Sequence, residues 1–399
     1  MAQDSDQDKE ITRYDLRYST FRLALIPGLS TNGPQAKEYA SGYSLNLLVG
    51  YNGALHRGLE LGGLANLNKY YARGVQLAGL LNYSGRETQG VQLAGALNLS
   101  GGDMQGLQLS GLGNVSRADI QGIQLSGAAN WAARHAQGIQ LSGALNYAGL
   151  DMQGIFVAGA ANLSSRNLQG LILSGAANYA TREMQGIMLS GLFNYSDSFQ
   201  GLAASSVNIS RLMQGIQIGQ VNVVKQGQGI QLGVINYGHH FEGLPVGLIS
   251  YYKNGRSDID IWTSDAGFTN IGIKLGTNRI YNMISIGYNL GIGRDVWQLG
   301  WSIGSRTDYK KHFTINDFTF FKINEGDWTK DPNTLFKYRF LLGKDFGSGL
   351  QIYGGPTINM LISRVPGSSD YTWYRLFDIE SGGRAYLFWI GYALGVELF

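Results

Sequence analysis

Amide side chains recur at fixed spacing in the middle of the chain and are the most regular polar feature of the sequence. One column of glutamines returns every 16 residues: Gln76, Gln92, Gln108, Gln124 and Gln140. Each amide carries both donors and an acceptor, so such a column could match the hydroxyl groups of a glycan or of ice, or could hydrogen-bond to itself. We take these five residues as a candidate binding surface.

Residues suited to catalysis or metal binding are scarce. Cysteine is absent, which excludes disulfides, thiolate metal sites and a cysteine nucleophile. The only histidine cluster is His239-His240, close to Glu242, and a solvated turn accounts for it. Acidic residues recur in the segments between repeats, where solvation explains them better than paired catalytic carboxylates: Glu87, Asp103, Asp119, Asp151 and Glu183. We predict no enzyme, no catalytic residue, no cofactor and no metal site.

The elements that carry these residues are copies of one short unit. The pattern G-[VIL]-x-[LV]-[AS]-G-x-x-N returns every 16 residues from Gly74 to Gly186, an earlier copy begins at Gly58, and the spacing shortens to 15 and then 14 by Gly243. Counting the first Gly as position 0, apolar residues at positions 1 and 3 alternate with polar or small residues. Position 8 is Asn, and positions 10 to 15 have turn chemistry. Position 9 is apolar and often aromatic, as at Trp131 and Tyr147, and we expect these rings to pack inside the coil. Each unit is therefore expected to form about ten residues of strand and a turn.

Two folds satisfy this repeat. In a parallel β-solenoid each unit is one coil, and identical residues stack about 4.8 Å apart, so Asn98, Asn114, Asn130, Asn146, Asn162 and Asn178 would form a ladder. In the alternative, each unit is one strand of a large antiparallel barrel that spans a membrane. Alternate turns of such a barrel face opposite sides of the membrane and usually differ in length. All turns here are alike, which favours the solenoid.

The C-terminal zone, residues 256–399, has longer alternating strands and many aromatic residues. Strands are expected at 258–263, 269–276, 283–293, 296–305, 313–323, 335–346, 350–362 and 385–399. Their length and the dense aromatic residues on one face favour an antiparallel membrane barrel of about eight strands over a soluble β domain. Such a barrel is just filled by side chains, so these charged residues are expected to pack inside it: Asp258, Asp260, Lys274, Lys337, Arg339 and Glu397.

The remaining zones flank the repeats. Residues 1–12 are expected to be a disordered tail, residues 13–57 to form N-terminal strands that cap the array or join the barrel, and residues 58–255 to form the repeat array. Only 15% of residues are charged and the net charge is +3, which gives no argument for nucleic-acid binding. The sequence has no stretch of about 18 apolar residues, so no membrane helix is predicted.

The repeats, with their pattern G-[VIL]-Q-[LI]-x-G-x-x-N, resemble the bacterial surface-repeat proteins of Bacteroidota and Leptospira. The resemblance covers about 42–256 and includes the closing segment GLPVGLISYYKNGR at 243–256. It implies an outer-membrane or cell-surface setting, and no activity or functional residue that could be carried over to this chain.

The sequence therefore predicts a non-enzymatic structural or interaction protein of the bacterial outer membrane, such as a scaffold, spacer, adhesin or subunit of an envelope complex. Its expected partners are outer-membrane lipid and other envelope proteins or glycans. Two alternatives stay open: a soluble solenoid that binds carbohydrate or another surface, and a large outer-membrane channel. The side of the membrane that the repeats face is undetermined.

Overall fold

The computed structural model describes residues 11, 13–293, 295–347, 349–365, 368–372 and 374–398. The predicted tail, residues 1–12, lies outside the described residues except for Ile11. The fold is all-β, with a parallel β-solenoid of about 13 turns and a closed eight-stranded antiparallel barrel, as predicted. The chain forms two compact units, residues 1–209 and 210–399. Within the described residues no helix has the length and apolar content needed to cross a membrane.

Parallel pairing defines the coils of the first unit. Each 16-residue repeat forms a seven-residue strand and a four-residue strand, and each of these pairs in parallel with its counterparts in neighbouring repeats. Identical positions are in register, so that Gln108 lies beside Gln124 and Asn114 beside Asn130. The alternative of one large antiparallel barrel that includes the repeats is therefore wrong.

The strands of the first unit begin with β1 (Arg17–Ile26), β2 (Leu29–Ser30), β3 (Tyr39–Asn46), β4 (Val49–Asn52), β5 (Ala54–Gly62) and β6 (Ala65–Asn68). They continue with β7 (Ala72–Ala78), β8 (Leu81–Ser84), β9 (Thr88–Ala94), β10 (Leu97–Ser100), β11 (Met104–Ser110), β12 (Gly113–Ser116), β13 (Ile120–Ser126) and β14 (Ala129–Ala132). The rest are β15 (Ala136–Ser142), β16 (Leu145–Ala148), β17 (Met152–Ala158), β18 (Ala161–Ser164), β19 (Leu168–Ser174), β20 (Ala177–Ala180), β21 (Glu183–Ser190) and β22 (Phe193–Ala204).

The N-terminal strands belong to the solenoid. Strand β1 pairs in parallel with β3, and β3 pairs in parallel with β5. A short 3-10 helix at Gly33–Glu38 lies between β2 and β3. We expected residues 13–57 either to cap the array or to join the barrel. Their strands extend the array at its N-terminal end.

Glycine is required where the backbones of successive coils approach most closely. Gly138, at position 0, has φ +123°, and a Cβ there would lie 2.0 Å from the carbonyl oxygen of Gly122. Gly143, at position 5, has the same close approach to Gly127. Any side chain at these positions would clash with the coil below, which explains why both glycines recur in the repeat.

The second unit holds the coils of shorter period and the barrel. Its coil strands are β23 (Val207–Ile218), β24 (Val221–Leu232), β25 (Ile235–Val246) and β26 (Ile249–Tyr252). The barrel strands are β27 (Arg256–Ser264), β28 (Phe268–Gly276), β29 (Ile280–Asn289), β30 (Val296–Tyr309), β31 (His312–Glu325), β32 (Asn333–Asp345), β33 (Leu350–Ser363) and β35 (Arg384–Leu398). Strand β34 (Phe377–Ser381) pairs with β35, and a 3-10 turn occupies Ser368–Tyr371.

All neighbouring barrel strands pair antiparallel, and β27 closes the barrel on β35. The connections 277–279, 310–311 and 346–349 are short and lie at the same end as the start of β27 and the end of β35. Of the connections at the opposite end, 265–267 is equally short, whereas 290–295, 326–332 and 364–383 are longer. Longer loops confined to one end are typical of outer-membrane barrels.

Candidate functional site on the outer surfaces of coils and barrel

The predicted glutamine surface lies inside the solenoid. Side chains of the column are at most 1% exposed: Gln76, Gln92, Gln108, Gln124 and Gln140. From Gln92 onward each donates from Nε2 to Oε1 of the glutamine in the preceding coil, for example Gln108 to Gln92 at 2.6 Å and Gln124 to Gln108 at 2.6 Å. The expectation that these residues form an exposed binding surface is wrong, because strand alternation turns them inward, where they satisfy one another.

A second amide column, the predicted asparagine ladder, is confirmed and runs in the opposite direction. Asn114 donates from Nδ2 to Oδ1 of Asn130 in the next coil at 2.9 Å, and also to the carbonyl of Leu125 at 2.8 Å. The same bonds recur from Asn66 to Asn178. A buried amide is costly unless it is paired, and the exact repeat of the coil provides a partner at every step.

Two buried charges terminate these ladders at the N-terminal end. Glu60 replaces glutamine in its column and accepts from Gln76 at 2.8 Å and from Asn68 at 2.7 Å. Arg22 donates to Oδ1 of Asn46, the first ladder asparagine, at 2.7 Å. Both charged side chains are fully buried. Burial lowers the pKa of Arg22, and the Glu60 carboxylate opposes that shift. The acceptor-only carboxylate and the donor-only guanidinium suit the opposite directions of the two ladders.

Large apolar side chains lie on the outside of the coils. They occupy positions 1 and 3 of the long strand and the turn at positions 4 to 7, which we call the coil tip. Exposed members are Leu64, Leu80, Leu112 and Leu192 at the tips, and Ile123, Leu141, Ile155 and Ile187 on the strand. Leu192 is the most exposed of these, at 62%. The solenoid interior thus combines amide columns with apolar side chains such as Met104 and Ile120, and much of the outer surface is apolar as well.

The aromatic residues at position 9 also face outward. We expected them to pack inside the coil, but Trp131 is 41% exposed and stacks on Tyr147 with 3.9 Å between ring centroids. Tyr179 stacks on Tyr195 in the same way. Strand alternation explains this orientation, because the neighbouring position 8 carries the asparagine that points inward.

Polar and charged groups are concentrated on one edge of each coil, at positions 11 to 13, which we call the polar edge. Asp119 accepts from the Arg134 guanidinium and from the backbone N–H of His135, and these bonds lower its pKa. His135 Nδ1 lies 3.0 Å from Asp151 Oδ2. Opposite charges on successive coils thus offset the like-charge stacking of the acidic residues.

Adjacent tips of the first unit form an open apolar groove of about 890 Å³. It is lined by Leu, Ala, Ser, Asn and Gly residues of successive repeats between 45 and 111, including Leu61, Leu77, Leu93 and Leu109. No charged side chain contributes to its lining. The groove therefore suits an apolar occupant.

The barrel has the same inverted distribution, with charges inside. Lys274 Nζ lies 2.9 Å from Glu397 and 3.0 Å from Asp260, and Arg339 lies 2.7 Å from Asp317. The predicted interior is confirmed, since all six of its residues are buried: Asp258, Asp260, Lys274, Lys337, Arg339 and Glu397. Trp262 and Trp389 fill space beside them. Paired charges and aromatic rings thus pack the described interior.

The outer face of the barrel is a band of large apolar and aromatic residues. Exposed members include Ile271, Ile273, Ile284, Ile286, Tyr288, Phe318, Phe320, Tyr338, Phe340, Ile358, Ile390 and Leu394. Strands β30 to β33 have 13 or 14 residues each, and 9 to 11 tilted residues are enough to cross a bilayer. An apolar exterior around a charged interior is the distribution that lipid selects.

Within the second unit, the last coil contacts this outer face. Asn282 has the outward orientation of Ile284 and Ile286, yet it is only 1% exposed. Its Nδ2 donates to Pro245 O at 2.8 Å and to Ser250 Oγ at 3.1 Å, and its Oδ1 accepts from Gly247 N. Ser250 also accepts from Asn236, the last ladder asparagine of this unit. A barrel side chain thus completes the asparagine ladder.

The barrel residue Trp301 adds a second contact with the same coil. It points outward from β30 and donates from Nε1 to Gly247 O at 2.8 Å. Trp301 pairs with Ile284 across the sheet, so the coil tip at 245–250 lies against the apolar band. Sequence reasoning missed this contact, although a polar Asn282 between Ile280 and Ile284 on an apolar face was a visible signal.

The histidine cluster lies at the other end of the last coils. A cavity of about 800 Å³ is lined there by His240, Glu242, Asn254 and the short turn at 277–279. His240 Nε2 lies 3.4 Å from Glu242 Oε1, and both side chains are exposed. Across the described part of the chain, no three His, Asp or Glu side chains are grouped so that they could hold a metal ion.

Comparisons with known proteins add no relative: no family model, no characterised protein and no solved structure matches the chain.

Proposed function

We propose that this chain is a non-enzymatic protein of the bacterial outer membrane, in which the barrel anchors a rigid solenoid that acts as a scaffold or interaction subunit. The observation that carries the proposal is the barrel itself, with Ile284, Ile286 and their neighbours exposed outside and paired charges such as Lys274 and Glu397 buried inside. In water this outer band would be an aggregation-prone apolar patch far larger than soluble proteins expose.

The solenoid supports a structural role. Within the first unit its coils are joined by backbone pairing, by the asparagine ladder and, as far as Gln140, by the glutamine ladder, so these coils resist bending and can hold attached partners at fixed spacing. The polar edges provide a charged surface on which other envelope proteins could assemble.

Membrane fractionation of the full chain tests the proposal. We expect the protein, exported in a Gram-negative host, to sediment with outer membranes and to resist extraction by urea and alkaline carbonate. Ile286→Arg should reduce the inserted fraction, because a cation at mid-bilayer on the lipid face costs about 2–4 kcal/mol.

Tyr309→Arg is the matched control, since Tyr309 is exposed at the end of β30 beside the short turn 310–311. A charge near the membrane interface costs only about 0–1 kcal/mol, so this variant should insert normally. Extraction of the wild-type chain into urea as a folded soluble protein would contradict the proposal.

A second candidate function, glycan binding, is favoured by a different glutamine column, at position 15. Its members are exposed and hydrogen-bond between coils, as Gln105 does with Gln121 at 3.1 Å and Gln169 with Gln185 at 2.7 Å. Binding to immobilised outer-membrane glycans that is lost in Gln105→Ala/Gln121→Ala would support this function. Unchanged binding in that variant would contradict it.

A further inference from the structure

The contact between the last coil and the barrel fixes the height of a coil tip in the membrane, if the barrel spans the membrane as proposed above. Asn282, which bonds to the tip, lies three residues after Arg279 of the short turn. Trp301 is paired with Ile284, which lies five residues after Arg279. At about 3.3 Å per strand residue, the tip contacts lie about 10 to 17 Å from the turn end of the strand.

The same coil places its polar side at the end of the barrel. His240, Glu242 and Asn254 line one cavity together with the turn residues Asn278 and Arg279. The coil is therefore oriented with its polar loop at the rim formed by the short turns and with its apolar tip alongside the lipid-facing wall.

The apolar surface of these coils continues the outer band of the barrel. Leu248 is 50% exposed at the tip, and Val234 is 48% exposed in the preceding coil. Ile249 and Tyr251 are also exposed beside the buried Ser250, which contacts Asn282. No layer of lipid separates the tip from the barrel wall, because Trp301 and Asn282 bond directly to it.

We propose that the coil tips of the second unit, at Val234 and Leu248, are inserted into one leaflet of the membrane, the leaflet on the side of the short turns, and that the polar loop of the same coils, at His239 to Glu242, faces the adjoining aqueous compartment. The occupant of the apolar tip surface is the acyl-chain layer of that leaflet, about 15 Å thick, which contains the tip contacts once a strand tilt of about 35–45° is allowed for. These last coils are then a monotopic membrane element beside the barrel.

Because short turns of outer-membrane barrels face the periplasm, the polar loop of these last coils, which lies beside the short turn at 277–279, is assigned to the periplasmic side.

Site-directed fluorescence quenching tests the insertion, and the absence of cysteine makes single-cysteine labelling clean. The full chain is labelled with an environment-sensitive dye in four variants: Val234→Cys and Leu248→Cys at the tips, Ile286→Cys on the barrel wall and His239→Cys on the polar loop. Each is reconstituted into vesicles of phosphatidylcholine and phosphatidylglycerol, with and without phosphatidylcholine that carries a nitroxide on the acyl chain.

We expect the nitroxide lipid to quench the dye at Val234 and Leu248 to a similar extent as at Ile286, and iodide in the water to quench only the dye at His239. The inference would be overturned if either tip were reached by iodide as readily as His239 while Ile286 remained quenched by lipid. Protection of the tips from both quenchers would also overturn it, because protein would then cover them.

The control at Ile286 separates this inference from the function on which it rests. Loss of lipid quenching at Ile286 itself would mean that the barrel is not in the bilayer, and the proposed function would fail first. Ile249→Cys provides a second tip position, should labelling at Val234 disturb the fold.

Discussion

At the scale of single residues, the amide ladders hold successive coils of the solenoid in one register. Every buried glutamine of the column from Gln76 to Gln124 both donates to one neighbour and accepts from the other. The column ends at Gln140, whose Oε1 has no hydrogen-bond partner among the described residues, because Phe156 occupies the next position. Loss of an interior glutamine therefore leaves two neighbouring amides without a partner, whereas loss of the terminal Gln140 leaves one.

Replacement of Gln108 by leucine should destabilise the local coils more than replacement of Gln140. Gln108→Leu orphans Oε1 of Gln92 and Nε2 of Gln124, whereas Gln140→Leu orphans only Oε1 of Gln124. One additional buried, unpaired group costs about 1–3 kcal/mol. Hydrogen exchange of the flanking strands measures the difference, and equal losses of protection in the two variants would contradict the ladder account.

At the scale of elements, the N-terminal coil contains a buried histidine. His56 Nδ1 lies 2.9 Å from Tyr71 Oη, and its ring packs edge-on against Tyr71 and Tyr18. Burial lowers the pKa of His56, and the charges of Arg57 and Arg73 lower it further. In the folded coil the imidazole is therefore neutral at pH values where the unfolded chain would already begin to protonate.

The lowered pKa makes the stability of this coil dependent on pH. Below the unfolded pKa of about 6.5, the unfolded state binds more protons than the folded state, so stability falls as the pH decreases towards the folded pKa. We predict that amides of residues 54–73 lose hydrogen-exchange protection between pH 7.5 and pH 5, after correction for intrinsic rates. His56→Gln should abolish this dependence, and its persistence in that variant would refute the assignment.

The attachment of the last coil to the barrel is a second property of elements. Asn282→Ala would remove the acceptor of Gly247 N–H and the donor to Pro245 O, two backbone groups in a buried contact. We expect residues 245–250 to lose protection while the barrel strands keep theirs, at a cost of about 1–3 kcal/mol for each unpaired group. Asn289→Ala, whose side chain bonds within the barrel to Ala266 O, is the control that should leave 245–250 unaffected.

The sequence predicted the strands, their parallel stacking and the asparagine ladder, because each follows from a period that can be counted. It also predicted the barrel strands and their buried charges. It could not assign the inner side of the coil: alternation separates Gln140 from Ile139 but does not say which points inward. The usual preference for apolar interiors gave the wrong answer for the glutamine column and for Trp131.

The contact made by Asn282 was also beyond sequence reasoning, since it joins Ser250 and Pro245 to a strand more than 30 residues away in the chain. Long-range contacts between two different architectures leave no periodic signal. Only the polar residue on an apolar face pointed to a partner.

At the scale of the whole molecule, coils and barrel each bury paired polar groups among apolar side chains and expose large apolar residues on their outer surfaces. Exposed examples are Ile286 on the barrel, Leu248 on the last coil and Leu192 in the first unit. The proposed function and the proposed insertion of the last coils both rest on these outer surfaces.

The most direct measurement is a cryo-EM map of the full chain in a lipid nanodisc. The account predicts that bilayer density surrounds the barrel band at Ile284 and Ile286 and also contacts the coil tip at 245–250, with the loop 239–242 outside the lipid. A bilayer that encloses the barrel but leaves residues 245–250 in water would contradict the account.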